Sequence, residues 1–253
     1  MPTLSRASHA LVTGGARGIG REVAATLSRA GATVTVLGRD REALDAVVAA
    51  GLAHFAAVAD VTDQAALNGA VAEAAARQPI DILVANAGAA ESAPFAKSDA
   101  ALFRRMWEVN CLGVVHATQA VLPAMKTSGR GRIIAIASTA GLRGYPYVAA
   151  YAAAKHAVVG LVRSLALELA TTGITANAVC PGFTDTDLVA GSIDTIMRKT
   201  GRSRDAAIAE LTKHNPQGRL VTPAEIADTV LWLCGDGAGA ITGQAIAVAG
   251  GEI

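Results

Sequence analysis

Short apolar runs rich in β-branched residues recur along the chain at 10–12, 33–37, 53–58, 82–84, 132–137 and 175–179. Runs of this length and composition predict strands buried on both faces of a parallel sheet. Between them apolar positions return at helical spacing, as in Ile19, Val23, Leu27 and Ala30, or Val158, Val162, Leu165 and Leu169. The resulting βαβα alternation needs right-handed crossover helices. It predicts a Rossmann-like doubly wound parallel sheet with helices on both faces, closed as a single α/β domain over residues 1–253. A last apolar run, 245–248, lies in the glycine-rich stretch GQAIAVAGGEI and reads as a sheet edge that pairs or packs. One segment, 184–220, breaks the rhythm. It is polar, mixed in charge and punctuated by Gly191, Gly201, Pro216 and Gly218, which predicts a mobile flap carrying a short helix or two.

Composition narrows the function classes. Hydrophobic residues make up 52% of the 253 and charged ones 17%, far from the balance of a disordered chain. The mean hydropathy of +0.38 raises the question of a membrane span. The long charge-poor stretch 109–125 is interrupted by Asn110, Gly113, His116, Gln119 and Pro123, so it is no apolar span. The N-terminus runs from one arginine and a short apolar run into glycines rather than a cleavage site, and a cytoplasmic protein is expected. With 22 Lys and Arg against 21 Asp and Glu, the net charge of +1 supplies no field for nucleic acid or an anionic membrane. Cys111, Cys180 and Cys234 are odd in number and lack CxxC spacing, which predicts packed thiols in a reducing compartment. His9, His54, His116, His156 and His214 are scattered without HxxxH spacing, so no metal site is expected. No GxSxG elbow and no GKS or GKT follows the glycines, which removes the simplest hydrolase and phosphate-transfer readings.

Candidate chemistry sits at strand ends. Residues 13–20, TGGARGIG, place glycines where the first strand turns into the first helix. Such a turn lets backbone N–H groups and a helix N-terminus approach a pyrophosphate, although tight turns also take glycine for steric reasons alone. Ser138 ends the fifth run, at the carboxyl edge where open α/β sheets bind ligands. Of three tyrosines, Tyr151 has a lysine four residues on, so Lys155 shares its helix face. An adjacent ammonium is expected to lower the phenol's pKa and bring proton exchange towards working pH. Asn110 falls midway along a helix predicted over 106–122, a position its propensity alone does not favour.

The spacing Gly14, Gly18, Gly20 resembles the short-chain dehydrogenase/reductase family. The resemblance covers essentially the whole chain: Asp60 follows the third strand, Asn86, Ala87 and Gly88 the fourth, then Asn110, Ser138, Tyr151 with Lys155, and Pro181 with Gly182 after the sixth. It implies a catalytic tetrad of Asn110, Ser138, Tyr151 and Lys155. In the family the asparagine kinks its helix and presents a backbone carbonyl to a water that contacts the lysine. The resemblance implies cofactor contacts from Thr13, Gly14, Arg17, Gly18, Ile19, Gly20, Arg39, Asp60, Val61, Asn86, Ala87, Gly88, Tyr151, Lys155, Pro181, Gly182, Thr184 and Thr186. Within that set Asp60 would receive the adenine amino group, Asn86 would stiffen the loop beside the ribose, and Thr186 would hold the carboxamide. Asp60 reads equally as a helix cap in DVTD.

At the end of the second strand, Gly38 stands where NAD-preferring members carry an acid, and Arg39 offers a planar fork for a 2′-phosphate. With Arg17, this predicts NADP(H) over NAD(H), unless Asp40 turns inward. In the segment 184–220, Leu188, Val189, Ile193, Ile196 and Met197 offer apolar contacts, and Arg198, Lys199, Arg202 and Arg204 follow as a basic cluster. That pattern suits an acyl chain on CoA or a carrier protein, and equally a solvated face. Overall similarity to 3-oxoacyl reductases and 3-hydroxyacyl-CoA dehydrogenases makes a 3-oxoacyl thioester the expected substrate. The rivals are a free cyclic or aryl alcohol or ketone, and a non-catalytic NADPH-sensing regulator. Family members commonly form homotetramers through the helices carrying Asn110 and Tyr151 and through the last strand.

Overall fold

The computed structural model describes Leu4 and residues 8–253. The N-terminal reading on localisation falls partly outside these residues, as does the side chain of Leu188. Seven parallel strands form one sheet: β1 (His9–Thr13), β2 (Thr33–Gly38), β3 (Phe55–Val58), β4 (Ile82–Ala85), β5 (Gly131–Ile136), β6 (Ile174–Pro181) and β7 (Ala245–Val248). Their order is β3-β2-β1-β4-β5-β6-β7, so the chain turns back at the β1–β4 junction. That switch point is where a doubly wound sheet opens a crevice at the strands' carboxyl ends.

The helices are α1 (Gly18–Arg29), α2 (Arg41–Ala49), α3 (Gln64–Arg77), α4 (Ala100–Trp107), α5 (Gly113–Ser128), α6 (Ala149–Leu169), α7 (Asp187–Thr200), α8 (Arg204–Thr212) and α9 (Pro223–Cys234). Because side chains alternate across a strand, β1 feeds both layers. Leu11 packs with Leu83, Ile133 and Ala176 under α3, α5 and α6. Ala10 and Val12 point the other way, into a layer built with Val23 and Leu27 of α1 and Ile226 and Val230 of α9. Burial of every residue of β1, β4, β5 and β6 explains why these strands carry continuous apolar runs rather than alternation.

Two expectations are corrected. The third strand begins at Phe55 rather than at 53. The helix predicted over 106–122 is two helices, α4 and α5, joined by a π-helical turn, Glu108–Leu112. The segment 184–220 carries two helices, α7 and α8, in line with the one or two expected there, the first capped at its end by Gly201 in the left-handed region at φ 68°.

Candidate active site

The glycine turn between β1 and α1 is shaped by contacts that exclude side chains. Gly14 has φ 64°, and its N–H donates to the Leu37 carbonyl at 2.7 Å. A Cβ on Gly20 would collide with the Gly14 carbonyl oxygen, which is why no larger residue fits there. Asn86, just past β4, spends both amide protons on this turn, donating to the carbonyls of Thr13 at 3.0 Å and Gly14 at 3.1 Å. In return Thr13 Oγ1 accepts the backbone N–H groups of Asn86 and Ala87, both at 3.0 Å. Arg17 occupies the N-cap of α1 without a side-chain cap bond, and the first turn holds no acid. The partial positive charge of that helix end therefore stays available to a pyrophosphate. Gly18, at φ 53°, lies where a Cβ would come within 3.3 Å of Thr186 Cγ2, so the start of the 184–220 segment sits over the turn. Ile19 anchors the turn from below, packed on the α1–α9 layer. These features fit a dinucleotide.

At the ends of β2 and β3, Asp40 turns away from the crevice and caps α2, accepting from the Ala43 N–H at 3.1 Å. The exposed Arg39 guanidinium reaches Asp60 Oδ2 at 3.5 Å. Asp60 accepts from the Thr62 N–H at 2.9 Å and its hydroxyl at 2.8 Å. Burial pushes the Asp60 carboxyl up, but the Thr62 bonds and the Arg39 charge outweigh it and hold the group below its ordinary value. Asp60 does not cap α3: Asp63 does, accepting the Ala66 N–H at 3.0 Å, because it stands at the N-cap position three residues before that donor. Val61 is buried, and its carbonyl accepts from His116 Nδ1 at 2.9 Å.

Asn110 is fully buried in the π-turn rather than facing solvent. Its amide donates to the carbonyls of Ala89 at 2.8 Å and Met106 at 3.0 Å, while Oδ1 accepts the Ala89 N–H at 3.3 Å. The wider turn thus stitches α4 and α5 to the loop after Asn86. Gly88 is tight against this contact: a Cβ there would stand 2.8 Å from Asn110 Oδ1 and 3.7 Å from Lys155 Nζ.

Ser138 leaves β5 in extended backbone and caps a short 3-10 turn, Thr139–Gly141, its Oγ accepting the Ala140 N–H at 3.1 Å. Its hydroxyl is also close enough to the Tyr151 phenol to favour the ionised form against the effect of burial. Lys155, one helical turn after Tyr151 on α6, is buried; its Nζ donates to the Ile136 carbonyl at 2.8 Å and lies 5.7 Å from the Tyr151 ring centre. The expected acidic phenol is corrected. Burial pushes Tyr151 up from its ordinary value, with the Ser138 hydroxyl opposing, and burial brings Lys155 down to about 8. The physical reason is that desolvation penalises both charged forms, and the ammonium spends its hydrogen bond on a backbone carbonyl rather than on the phenol oxygen. A protonated phenol is the form that can donate to a carbonyl oxygen.

Pro181 closes β6 beside Gly182, whose N–H donates to the Val248 carbonyl at 3.0 Å. Thr184 is buried, its hydroxyl returned to the Gly182 carbonyl at 2.9 Å, and Thr186 stands at the N-cap of α7. Two of the apolar residues of α7 do not offer themselves to a ligand as expected. Val189 and Ile193 are buried against Ala207 of α8, with Ile196 and Met197 packed around them, because two short helices need a core between them. Arg198, Lys199, Arg202 and Arg204 are exposed, and Arg202 pairs with Glu210 at 3.2 Å.

Sequence reasoning missed a further cluster. Tyr145 reaches Thr139 Oγ1 at 2.8 Å and Glu252 Oε1 at 2.6 Å, and Tyr147 holds φ 67° while its carbonyl accepts the Ala93 N–H at 2.8 Å. Pro146 between the two tyrosines signals a turn, but no local spacing links 145 to 252. All three cysteines are buried. Among the described residues no group of three or more His, Cys, Asp or Glu could hold a metal ion, and no helix is long and apolar enough to cross a membrane.

A family model described as short chain dehydrogenase matches residues 8–213. The chain is 40% identical to a putative ketoacyl reductase of Streptomyces coelicolor, over 96% of this chain and 95% of that protein. It is 36% identical to a D-beta-hydroxybutyrate dehydrogenase of Rhizobium meliloti, over 96% and 97% of the two chains. Its fold is similar to that of a variant actinorhodin polyketide ketoreductase solved with NADPH, with a TM-score of 0.93 and 38% identity, covering 99% of this chain and 98% of that one.

Proposed function

Because this chain belongs to the short-chain dehydrogenase family and is an oxidoreductase acting on CH–OH groups, we propose that it interconverts a 3-oxoacyl thioester and its 3-hydroxy form with NADP(H). The observation that carries this reading is the Tyr151 phenol, held protonated by burial, with the buried Lys155 ammonium 5.7 Å from its ring and Gly88 of the loop after β4 against that lysine.

A bound nicotinamide supplies the hydride in reduction and accepts it in oxidation. The residues do the rest. Ser138 orients the substrate oxygen by donating to it, and Tyr151 gives its proton as negative charge develops there. Lys155, charged below about pH 8, stabilises the phenolate left behind until solvent returns the proton. Asn110 keeps the loop at Gly88 and Ala89 in place beside the lysine. Gly14, Gly18 and the open end of α1 would hold the pyrophosphate; Arg39 and Arg17 would take the 2′-phosphate.

Support for the thioester comes from the similarity to a putative ketoacyl reductase and from the exposed basic stretch 198–204, which would meet the phosphates of CoA or a carrier protein's prosthetic arm. The segment 184–220 would act as the flap over the acyl group. A homotetramer is also part of the proposal: Trp107 of α4 and Leu167 of α6 are exposed, at 44% and 82%, and β7 ends the sheet. The test is a Michaelis comparison of NADPH with NADH, run on acetoacetyl-CoA, ethyl acetoacetate and cyclohexanone. The expected result is higher kcat/KM with NADPH and acetoacetyl-CoA. Activity confined to the free ketones overturns the thioester, and no oxidation of NADPH with any carbonyl leaves a cofactor-sensing role.

A further inference from the structure

Tyr145 lies in the loop between Ser138 and Tyr151, and Glu252 is the next-to-last residue of the chain. The two meet at 2.6 Å, across more than a hundred residues of sequence, as a short phenol–carboxylate hydrogen bond. A phenol has one proton, and here it goes to the carboxylate; the Thr139 hydroxyl must then donate to the phenol oxygen at 2.8 Å. Burial, with the carboxylate beside it, pushes Tyr145 up to about 12, so this proton stays in place across the working range. The order Thr139 to Tyr145 to Glu252 therefore has a fixed direction.

Each end of this chain of hydrogen bonds touches the reacting region. Thr139 is buried and directly follows Ser138. Glu252 Oε2 lies 3.5 Å from where a Cβ on Gly182 would stand. The Tyr145 ring itself meets the edge of Phe183 at 6.2 Å, and the Arg143 guanidinium lies 5.0 Å from its centre. The tail is clasped in turn by the segment before α9: a Cβ on Gly250 would collide with Asn215, and one on Gly251 would come within 3.3 Å of Pro216. One phenol thus ties the turn that carries Ser138, the residues that follow β6 and the C-terminal tail.

We propose that Tyr145 and Glu252 act as a pair of positioning residues that fix the Ser138 turn, and with it the orientation of the carbonyl to be reduced. The inference rests on the carbonyl-reductase reading above. It requires that Glu252 act through Tyr145, so the two must be non-additive.

The experiment measures kcat and KM on the most active ketone of the panel, product enantiomeric ratio on ethyl acetoacetate, NADPH affinity by fluorescence titration and Tm for Tyr145→Phe, Glu252→Ala, Glu252→Gln and the double variant Tyr145→Phe/Glu252→Ala. Tyr145→Phe and Glu252→Ala are each expected to lose about tenfold in kcat/KM, the scale of a small misplacement of a reacting group. Both should erode the enantiomeric ratio and leave NADPH affinity unchanged. The double variant should match the single ones, and Glu252→Gln, which keeps an acceptor oxygen, should recover most of the loss. Normal kcat/KM and ratio in the single variants, or multiplicative losses in the double, overturn the pairing. A loss that follows Tm and NADPH affinity assigns the contact to folding alone and also overturns it. Wild-type protein inactive on every ketone overturns the reductase reading instead.

Discussion

Lys155 Nζ stands 5.7 Å from the centre of the Tyr151 ring while giving its hydrogen bond to the Ile136 carbonyl at 2.8 Å. In the proposed reaction the lysine would support the phenol by its charge rather than by contact, and that charge is fragile, since burial brings the Lys155 pKa down to about 8. Reduction needs the ammonium charged and the phenol protonated; oxidation needs the phenol's proton gone. We therefore expect kcat/KM for ketone reduction to fall as pH rises through about 8, and alcohol oxidation to rise over the alkaline range. Lys155→Met should remove the break near 8 along with most of the rate. A reduction profile flat from pH 7 to 10 in the wild type contradicts this assignment.

The Asn110 amide is a structural joint as well as a neighbour of the reacting groups. Asn110→Ala removes the side-chain bonds to the part-buried carbonyl and N–H of Ala89 and to the buried Met106 carbonyl. An unpaired buried polar group costs about 1–3 kcal/mol, so a lower urea midpoint is expected together with lost turnover. Gly88→Ala should resemble it, because the new Cβ would press to 2.8 Å from Asn110 Oδ1. Unchanged midpoints in both variants would show that the π-turn holds itself without the asparagine.

What the sequence made legible was what repeats or what stands at a strand end. Buried parallel strands announce themselves by unbroken apolar runs, so β1, β2, β4, β5, β6 and β7 fall where the pattern predicts them. Ser138 was readable as a candidate from its place at a strand end, and Thr13, Asn86 and Pro181, implied by the family resemblance, stand at the same edge of the doubly wound sheet. Apolar spacing did not show the π-turn at Asn110, because it runs through a local widening of one turn almost unchanged; only the family resemblance implied a kink there. Nor was the raised Tyr151 phenol legible: spacing shows that Lys155 is near, but the balance between its charge and desolvation depends on burial. The Tyr145–Glu252 contact joins a loop to the tail and leaves no periodic trace.

Arg39 is the side chain on which the cofactor reading turns. It is 76% exposed and holds Asp60 loosely at 3.5 Å, so little stability depends on it. Arg39→Ala is expected to raise KM for NADPH about tenfold, the low end for a charged hydrogen bond at an exposed site, while KM for NADH moves little. An equal effect on both cofactors would place Arg39 at a feature the two share, such as the adenine or the pyrophosphate, rather than at the 2′-phosphate.

At the opposite end of β1 from the glycine turn, His9 is completely buried. Its Nδ1 lies 2.7 Å from the Gln78 carbonyl, which can only accept, so Nδ1 carries the proton and Nε2 accepts from the Thr35 hydroxyl at 2.8 Å. Burial pushes the imidazole below its ordinary 6.5, against the Gln78 bond and the Asp81 charge, which favour protonation. Above 6.5 the ring is neutral in folded and unfolded chains alike and contributes nothing to the pH dependence. Below that value the unfolded chain binds a proton that the folded protein refuses until its own lower pKa is reached. Unfolding free energy should therefore fall as pH drops from 6.5 to 5, by up to about 1.4 kcal/mol per unit, before most carboxylates begin to titrate. His9→Gln, which has no proton to bind in this range, should lack that slope while keeping turnover, because the site lies at the other end of the strand. Identical slopes in urea titrations of the two proteins between pH 5 and 6.5 would show that another group governs acid stability.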